Sequence, residues 1–235
     1  EKPRIAVLYQ NDDFGKEMLA GLRKSLGAKA DEMIVATASY ESTDPTVNNQ
    51  VLLLKQSDAN VFMNYSFPRF AAQAIRNVYD SGWRPLHILS QTSTSVSQVL
   101  VQAGLEKSSG LIAASYNKTG SFGKNVDDWK SDEGLSEYVT WMKENYPEGD
   151  IIDTFNSFGY ALAKTMHQVL IQCGSDFSAD NIMKQARSLN MKIGVMMPGI
   201  VVQTASDQPY PVRQMQPIKF DGENWKPWGH LFGAR

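Results

Sequence analysis

Two adjacent carboxylates, Asp12 and Asp13, stand between an apolar run at Ile5–Tyr9 and a helical pattern beginning at Phe14. That is the carboxyl end of a strand, where open α/β sheets bind ligands. A carboxylate pair there can hold magnesium for phosphoryl transfer, but this chemistry also needs an acceptor aspartate after the third strand. The stretch "NYSFP" at Asn64–Pro68 supplies none, and Lys118 after the fifth strand is a weak match for the remaining partner. The residues favour a structural reading, in which Asp13 caps the helix through its amino-terminal amides and Asp12 stays in solvent. The other reactive side chains are sparse. His87, His167 and His230 are the only imidazoles, far apart and outside any short metal-ligand motif, and Cys173 is the only cysteine. The first turn lacks G-x-G-x-x-G, and neither a P-loop nor G-x-S-x-G occurs. The expectation is a chain without cofactor, metal or catalytic constellation: a binding protein rather than an enzyme.

Composition narrows the partners. At 235 residues the chain can form one large domain or two small ones. Hydrophobic residues at 42% and charged ones at 20% are ordinary for a folded soluble chain. A formal net charge of −2 argues against nucleic acid, whose binders carry a basic stripe. No apolar run approaches the roughly 20 residues of a membrane span, and the first residues do not resemble a signal peptide. Compartment stays open on these grounds.

The first half alternates strand and helix. Apolar runs at 5–9, 34–38, 60–65, 86–89 and 110–114 are separated by helical periodicity at 14–26, 46–57, 69–81 and 94–104. That order predicts a doubly wound parallel sheet, an α/β fold with helices on both faces. Asp44 is expected to cap the second helix with Pro45 at its first position, and Pro68 to play the same part for the third. The loops Gln10–Asp13, Tyr40–Thr43, Asn64–Phe67, Ser90–Ser93 and Ser115–Gly123 then line one rim. A polar connection at 117–128 leads to helical patterns near 133–145, 152–173 and 178–190, with no strand between them. The longest carries Phe155, Phe158, Leu162, Met166 and Leu170 on one stripe, with Gly174 as its stop. Strand-like segments at 199–204 and 214–220 follow, then Asp221-Gly222 as a hairpin turn and a strand resuming at Trp225. The aromatic helix has more apolar surface than its neighbours cover, and a strand begins within five residues of the start; both suggest a partner lobe in front.

Three stretches carry a resemblance: "RIAVLYQNDDFGKEMLAGL", "DANVFMNYSFPRFAAQAIRNVYDSGWRP" and "PGIVVQTASDQPYPVRQMQPIKFDGENWKPWG". Together, and in this order, they resemble the leucine/isoleucine/valine-binding proteins, type I periplasmic solute-binding proteins of ABC importers. Members have two α/β lobes that trap a ligand between them, and this chain resembles the carboxyl-terminal portion. The resemblance implies a second lobe at 1–120, a crossover and helices of an incomplete first lobe at 121–192, and return strands with a hairpin completing lobe two at 193–235. It also implies a small-molecule ligand, an ABC permease as partner, a periplasmic or other extracytoplasmic location, and a missing half supplied by an amino-terminal portion or a second chain. Uncovered helices would favour self-association.

Carried over position by position, the resemblance marks Phe14 before Gly15 and Phe67 after the third strand, where amino-acid binders present aromatic side chains, tyrosine in the first case. Thr92, in "SQTS", stands where they carry a glutamate for the ligand's α-ammonium. A hydroxyl cannot neutralise a buried ammonium, so the half-site points to an aromatic or other organic carboxylate rather than an amino acid, the alternatives being branched-chain amino-acid binding or a ligand-sensing receptor domain of the same fold. Each residue also has a plainer reading. Phe14 fits the core stripe of its helix, and Gln91 and Thr92 are either ligand groups or a solvated loop in which Ser93 or Thr94 caps the next helix. Phe67, just before Pro68, fits a cleft better than a core. Tyr116 with Asn117, then Tyr65 with Ser66, are further candidates. Asn156, at the start of the long helix, completes the set; Phe158 beside it is within reach of the same cleft but fits the core better.

Overall fold

The computed structural model describes residues 2–118 and 126–233. Residues 119–125, which belong to the polar connection and to the rim loop Ser115–Gly123, lie outside the described residues. The chain divides into two compact units: Glu1–Ala114 with Ile218–Lys226, and Ser115–Pro217 with Pro227–Arg235.

In the first unit the elements run β1 (Ile5–Gln10), α1 (Asp13–Leu26), α2 (Ala30–Met33), β2 (Ile34–Tyr40), α3 (Asn48–Lys55), β3 (Val61–Tyr65), α4 (Pro68–Asp80), β4 (Leu86–Leu89), α5 (Val101–Ala103), α6 (Leu105–Ser108) and β5 (Ile112–Ser115). The second unit contains α7 (Glu133–Asn145), α8 (Thr154–Cys173), α9 (Ala179–Ala186), β6 (Asn190–Met191) and β7 (Val202–Gln203). The strand β8 (Gln214–Phe220) re-enters the first unit at Ile218, β9 (Trp225–Pro227) follows, and β10 (Phe232–Gly233) ends the described chain.

The first unit is the doubly wound sheet that the alternation predicts. β1 lies next to the edge strand β2, parallel to β2 on one side and to β3 on the other, and β3, β4 and β5 continue in parallel. Side chains of β1 alternate between the faces, as a strand requires. Ala6 and Leu8 join the core under α3 and α4 with Val51, Leu54, Phe62 and Phe70. Ile5 and Val7 join the opposite core with Ile34 and Tyr65, against Met18, Leu19 and Leu22 of α1. The end of β8 closes the sheet beside β5, where the Phe220 amide donates to the Leu111 carbonyl. Asp221 makes the expected turn: its carboxylate accepts the amides of Glu223 and Asn224, and Trp225 resumes a strand paired with β8.

Pro68 stands in the first turn of α4, as predicted, its fixed φ already helical and its missing N–H no loss there. Asp44 and Pro45 do not begin α3. The helix starts at Asn48 after Val47, because the Asp44 carboxylate accepts the Glu41 amide at 3.0 Å and closes a turn instead. The helix expected at 94–104 is also broken. A π-turn at Val96–Leu100 leads into α5, and Gly104 at φ 102° ends it, a backbone angle that glycine adopts without strain.

In the second unit Asp132 caps α7 by accepting the Leu135 amide, and it pairs with the buried ammonium of Lys118 at 2.7 Å. Burial pushes the Asp132 carboxyl up, but the Lys118 ammonium and the Leu135 and Gly134 amides outweigh it and hold the group below its ordinary range. Gly134 and Gly194 meet backbone to backbone, leaving no room for a Cβ on either. Asp153 caps α8, and Gly174 ends it at φ 60°, as expected. The face that α8 buries carries Ser157, Tyr160, Ala161, Val169 and Cys173. The predicted apolar stripe is the exposed face: Phe155, Phe158, Leu162 (55% exposed), Met166 and Leu170 all reach the surface of this chain. A contiguous apolar face of this kind marks an interaction surface.

Candidate functional site

The rim of the first unit is built where β1, β3 and β4 end. Asp12, not Asp13, caps α1: its backbone is extended and its carboxylate accepts the Gly15 amide at 3.0 Å. The Gln10 side-chain amide donates to its other oxygen. The Gly15 amide, followed by the Gln10 donor, holds the Asp12 carboxyl below the ordinary carboxylate range. Asp13 is the exposed first residue of the helix. The reversal follows from geometry, since only the extended residue before the first turn can aim a side chain back at the orphan amides. Gly15 is buried against Gln10, and a Cβ there would run into the Gln10 carbonyl oxygen. The turn therefore hugs the strand end and sets Phe14 at the rim.

Phe14 meets Phe67 with ring centroids 4.7 Å apart and planes tilted by 43°, within the range in which aromatic pairs attract. Phe67 is 36% exposed and Phe14 half-buried, so the pair forms an apolar wall that is still open to solvent. The Phe67 backbone is fixed from below, its amide donating to the Tyr40 hydroxyl at 3.1 Å. Tyr40 is buried, and burial raises its pKa against the opposing pull of the Phe67 amide and the neighbouring Ser66 hydroxyl.

The loop after β4 supports the same corner. The Ser93 hydroxyl donates to the Ser66 carbonyl at 2.5 Å, with the Ser90 hydroxyl at 3.5 Å from the same oxygen. The hydroxyls of Thr92 and Ser90 bond to each other at 2.9 Å. The Thr94 hydroxyl donates to the Gln91 carbonyl, and the buried indole of Trp225 donates to the Thr94 carbonyl at 2.8 Å. Ser95, rather than Ser93 or Thr94, caps the following turn by accepting the Gln98 amide. The Ser66 hydroxyl is buried without a well-formed hydrogen bond, a polar group left over at the rim.

The expected candidates fall into three groups. Phe14, Phe67, Ser66, Gln91 and Thr92 gather at this rim through the contacts above. Tyr65 packs in the α1-side core, where burial pushes its phenol up to about 12. Tyr116, Asn117 and Asn156 belong to the second unit. There Tyr116 faces Phe158 with centroids 6.5 Å apart, the Asn117 amide donates to the Ser157 hydroxyl at 2.7 Å, and the Asn156 amide turns to the Asp150 carbonyl. Phe158 itself is 39% exposed rather than core. Tyr40 and Ser90 shape the rim without having been singled out in the sequence, and Ser93, expected there only as a helix cap, does so as well. A tyrosine closing a strand and hydroxyls flanking "QT" were the only signals.

His87 lies in the sheet, 7% exposed. Its Nε2 is 3.2 Å from the Asn64 side-chain nitrogen, and its ring faces Phe62 at 4.6 Å. Burial lowers its pKa to about 3. Among the described residues no group of three or more His, Cys, Asp or Glu side chains converges as a metal site, and no helix is long and apolar enough to cross a membrane.

The arrangement is one of walls and loops at the open edge of a parallel sheet. The chain belongs to the periplasmic binding protein family, whose profile matches residues 1–223. Among curated proteins it is similar to "Leu/Ile/Val-binding protein homolog 8" of Brucella abortus, 24% identical over 193 residues that make up 81% of this chain and 45% of that protein. The chain thus spans about half the length of the curated relatives it matches. Solved structures share the fold, and two serve as examples. One is a substrate-binding periplasmic protein from Ralstonia solanacearum, with a TM-score of 0.76 at 18% identity over 96% of this chain and 61% of that one. The other is a branched-chain amino-acid ABC transporter protein from Thermus thermophilus with bound valine, with a TM-score of 0.78 at 10% identity over 100% of this chain and 61% of that one.

Proposed function

We propose that this chain is part of the extracytoplasmic solute-binding component of an ABC importer, and that the rim of its first unit is one wall of the ligand site. The ligand is an aromatic or other small organic carboxylate rather than an α-amino acid. The observation that carries this reading is the Phe14–Phe67 wall beside a loop, Ser90–Ser95, that contains no carboxylate. A closed site holding an ammonium against that loop would lack an anionic partner, at a cost of several kcal/mol. Two of the nearby acids are engaged elsewhere, Asp12 capping α1 and Glu41 accepting the Asn11 side chain, while Asp13 stands exposed on the first turn of α1. Thr92 and Ser90 bond to each other, so the apolar wall, the Gln91 amide and the leftover Ser66 hydroxyl are what the rim offers a ligand.

The other wall belongs to a further lobe, matching the part of the relatives this chain does not span, and the ligand's carboxylate is held mainly there. Ligand contact with both lobes favours a closed form, and a membrane permease reads that form. The apolar face of α8 is covered in the same assembly; left uncovered, it drives self-association. Calorimetry on the full-length protein tests the ligand class. Binding of benzoate or a related aromatic acid, with leucine and valine silent, supports the reading; tight leucine or valine binding without aromatic acids overturns it. For the 235-residue chain alone, affinity weaker than submicromolar is expected.

A further inference from the structure

Tyr40 touches both loops that carry the aromatic wall. It is the last residue of β2, paired in the ladder with Gln10, the last residue of β1. Its carbonyl accepts the Asn11 amide at 2.8 Å, in the turn that presents Phe14. Its hydroxyl accepts the Phe67 amide at 3.1 Å. Phe67 precedes Pro68, which has no N–H, and Phe67 is the amino-terminal cap of α4 without a side-chain hydrogen bond of its own. The Tyr40 hydroxyl therefore fixes the backbone at the residue whose ring stands against Phe14. The tyrosine is itself held in place, 2% exposed and packed against Phe70 with centroids 4.3 Å apart and planes tilted by 43°. A buried oxygen on a locked ring is a fixed anchor, whereas a water in its place would let the loop shift.

We propose that Tyr40 is a positioning residue of the ligand site, holding Phe67 against Phe14 so that the two rings form a preorganised wall before ligand arrives. Preorganisation of this kind raises affinity by removing the cost of ordering the wall on binding. The inference rests on the reading that Phe67 faces ligand, and it concerns a residue that itself need not touch the ligand.

The test uses Tyr40→Phe in the full-length protein. This change keeps the ring, its burial and its contact with Phe70, keeps the carbonyl bond to Asn11, and removes only the hydroxyl. Hydrogen exchange of the Phe67 amide and ring-to-ring nuclear Overhauser contacts between Phe14 and Phe67 report the positioning without any ligand. The expected result is a fall of about tenfold in Phe67 amide protection and weakened Phe14–Phe67 contacts, with other sheet amides unchanged. Affinity for benzoate is expected to fall about tenfold as well, and Phe67→Leu to lower it without a further loss in the double variant. Wild-type protection and ring contacts in Tyr40→Phe overturn the inference. Loosened Phe67 with no effect of Phe67→Leu on benzoate or leucine affinity instead overturns the reading of Phe67 as a ligand wall, and with it a role for Tyr40 in binding. A fall in affinity with the Phe67 amide still protected shows that the hydroxyl acts by another route and also overturns the inference.

Discussion

Replacing His87 by leucine should flatten the acid limb of stability. The folded protein buries a neutral imidazole whose pKa is lowered to about 3 from the ordinary 6.5. In the unfolded chain the same ring takes up a proton as pH falls through its ordinary value, so the unfolded state binds more protons between the two pKa values. Stability therefore rises with pH across that window and is lost as pH falls. Fully realised, the slope approaches about 1.4 kcal/mol per pH unit, and between about pH 7 and about pH 5 the loss from this one group is about 2 kcal/mol. His87→Leu removes that proton uptake but leaves the Asn64 side chain without its partner, costing about 1–3 kcal/mol at neutral pH. The variant should be less stable near pH 7, and the gap to wild type should shrink by about 2 kcal/mol by about pH 5. Urea denaturation at a series of pH values measures this, and taking the difference between the two proteins cancels every other titrating group. A gap independent of pH, or a His87 ring that titrates near its ordinary value in the folded protein by nuclear magnetic resonance, would refute the reasoning.

Two further outcomes follow from the geometry. Asp12→Ala should cost about 1 kcal/mol of stability in denaturation while Asp13→Ala stays within about 0.5 kcal/mol, because only Asp12 accepts the Gly15 amide; equal effects would contradict the cap assignment. Leu162→Glu with Met166→Glu should leave stability within about 0.5 kcal/mol per site, both side chains being exposed, yet abolish self-association of the 235-residue chain in sedimentation; a wild-type chain that sediments as a monomer at high concentration would contradict it.

The doubly wound sheet was legible because each strand is a short apolar run and each helix carries a repeating apolar face, patterns that burial on two faces imposes directly. Pro68 and Gly174 were legible for a related reason: their backbone preferences act locally. Misreadings arose where a side chain had two local uses. Asp44 closes a turn on the Glu41 amide instead of capping α3, and the cap of α1 falls one residue earlier than expected, on Asp12. Composition alone does not decide between such alternatives, because they differ by one hydrogen bond. The apolar stripe of α8 was readable as a stripe, but sequence periodicity records that a face is apolar, not that a partner covers it. Tyr40 was hidden for another reason. Its hydroxyl reaches Phe67, 27 residues away, and that contact exists only once β1, β2 and β3 are side by side.

The ligand class is the central claim, and the native ligand tests it most directly. Full-length protein released from its own cells and purified without denaturation can be examined by mass spectrometry with its ligand still bound. A bound aromatic or other organic carboxylate lacking an α-ammonium group is the result expected from the Phe14–Phe67 wall and the carboxylate-free loop at Thr92. Bound leucine, valine or another α-amino acid would contradict it.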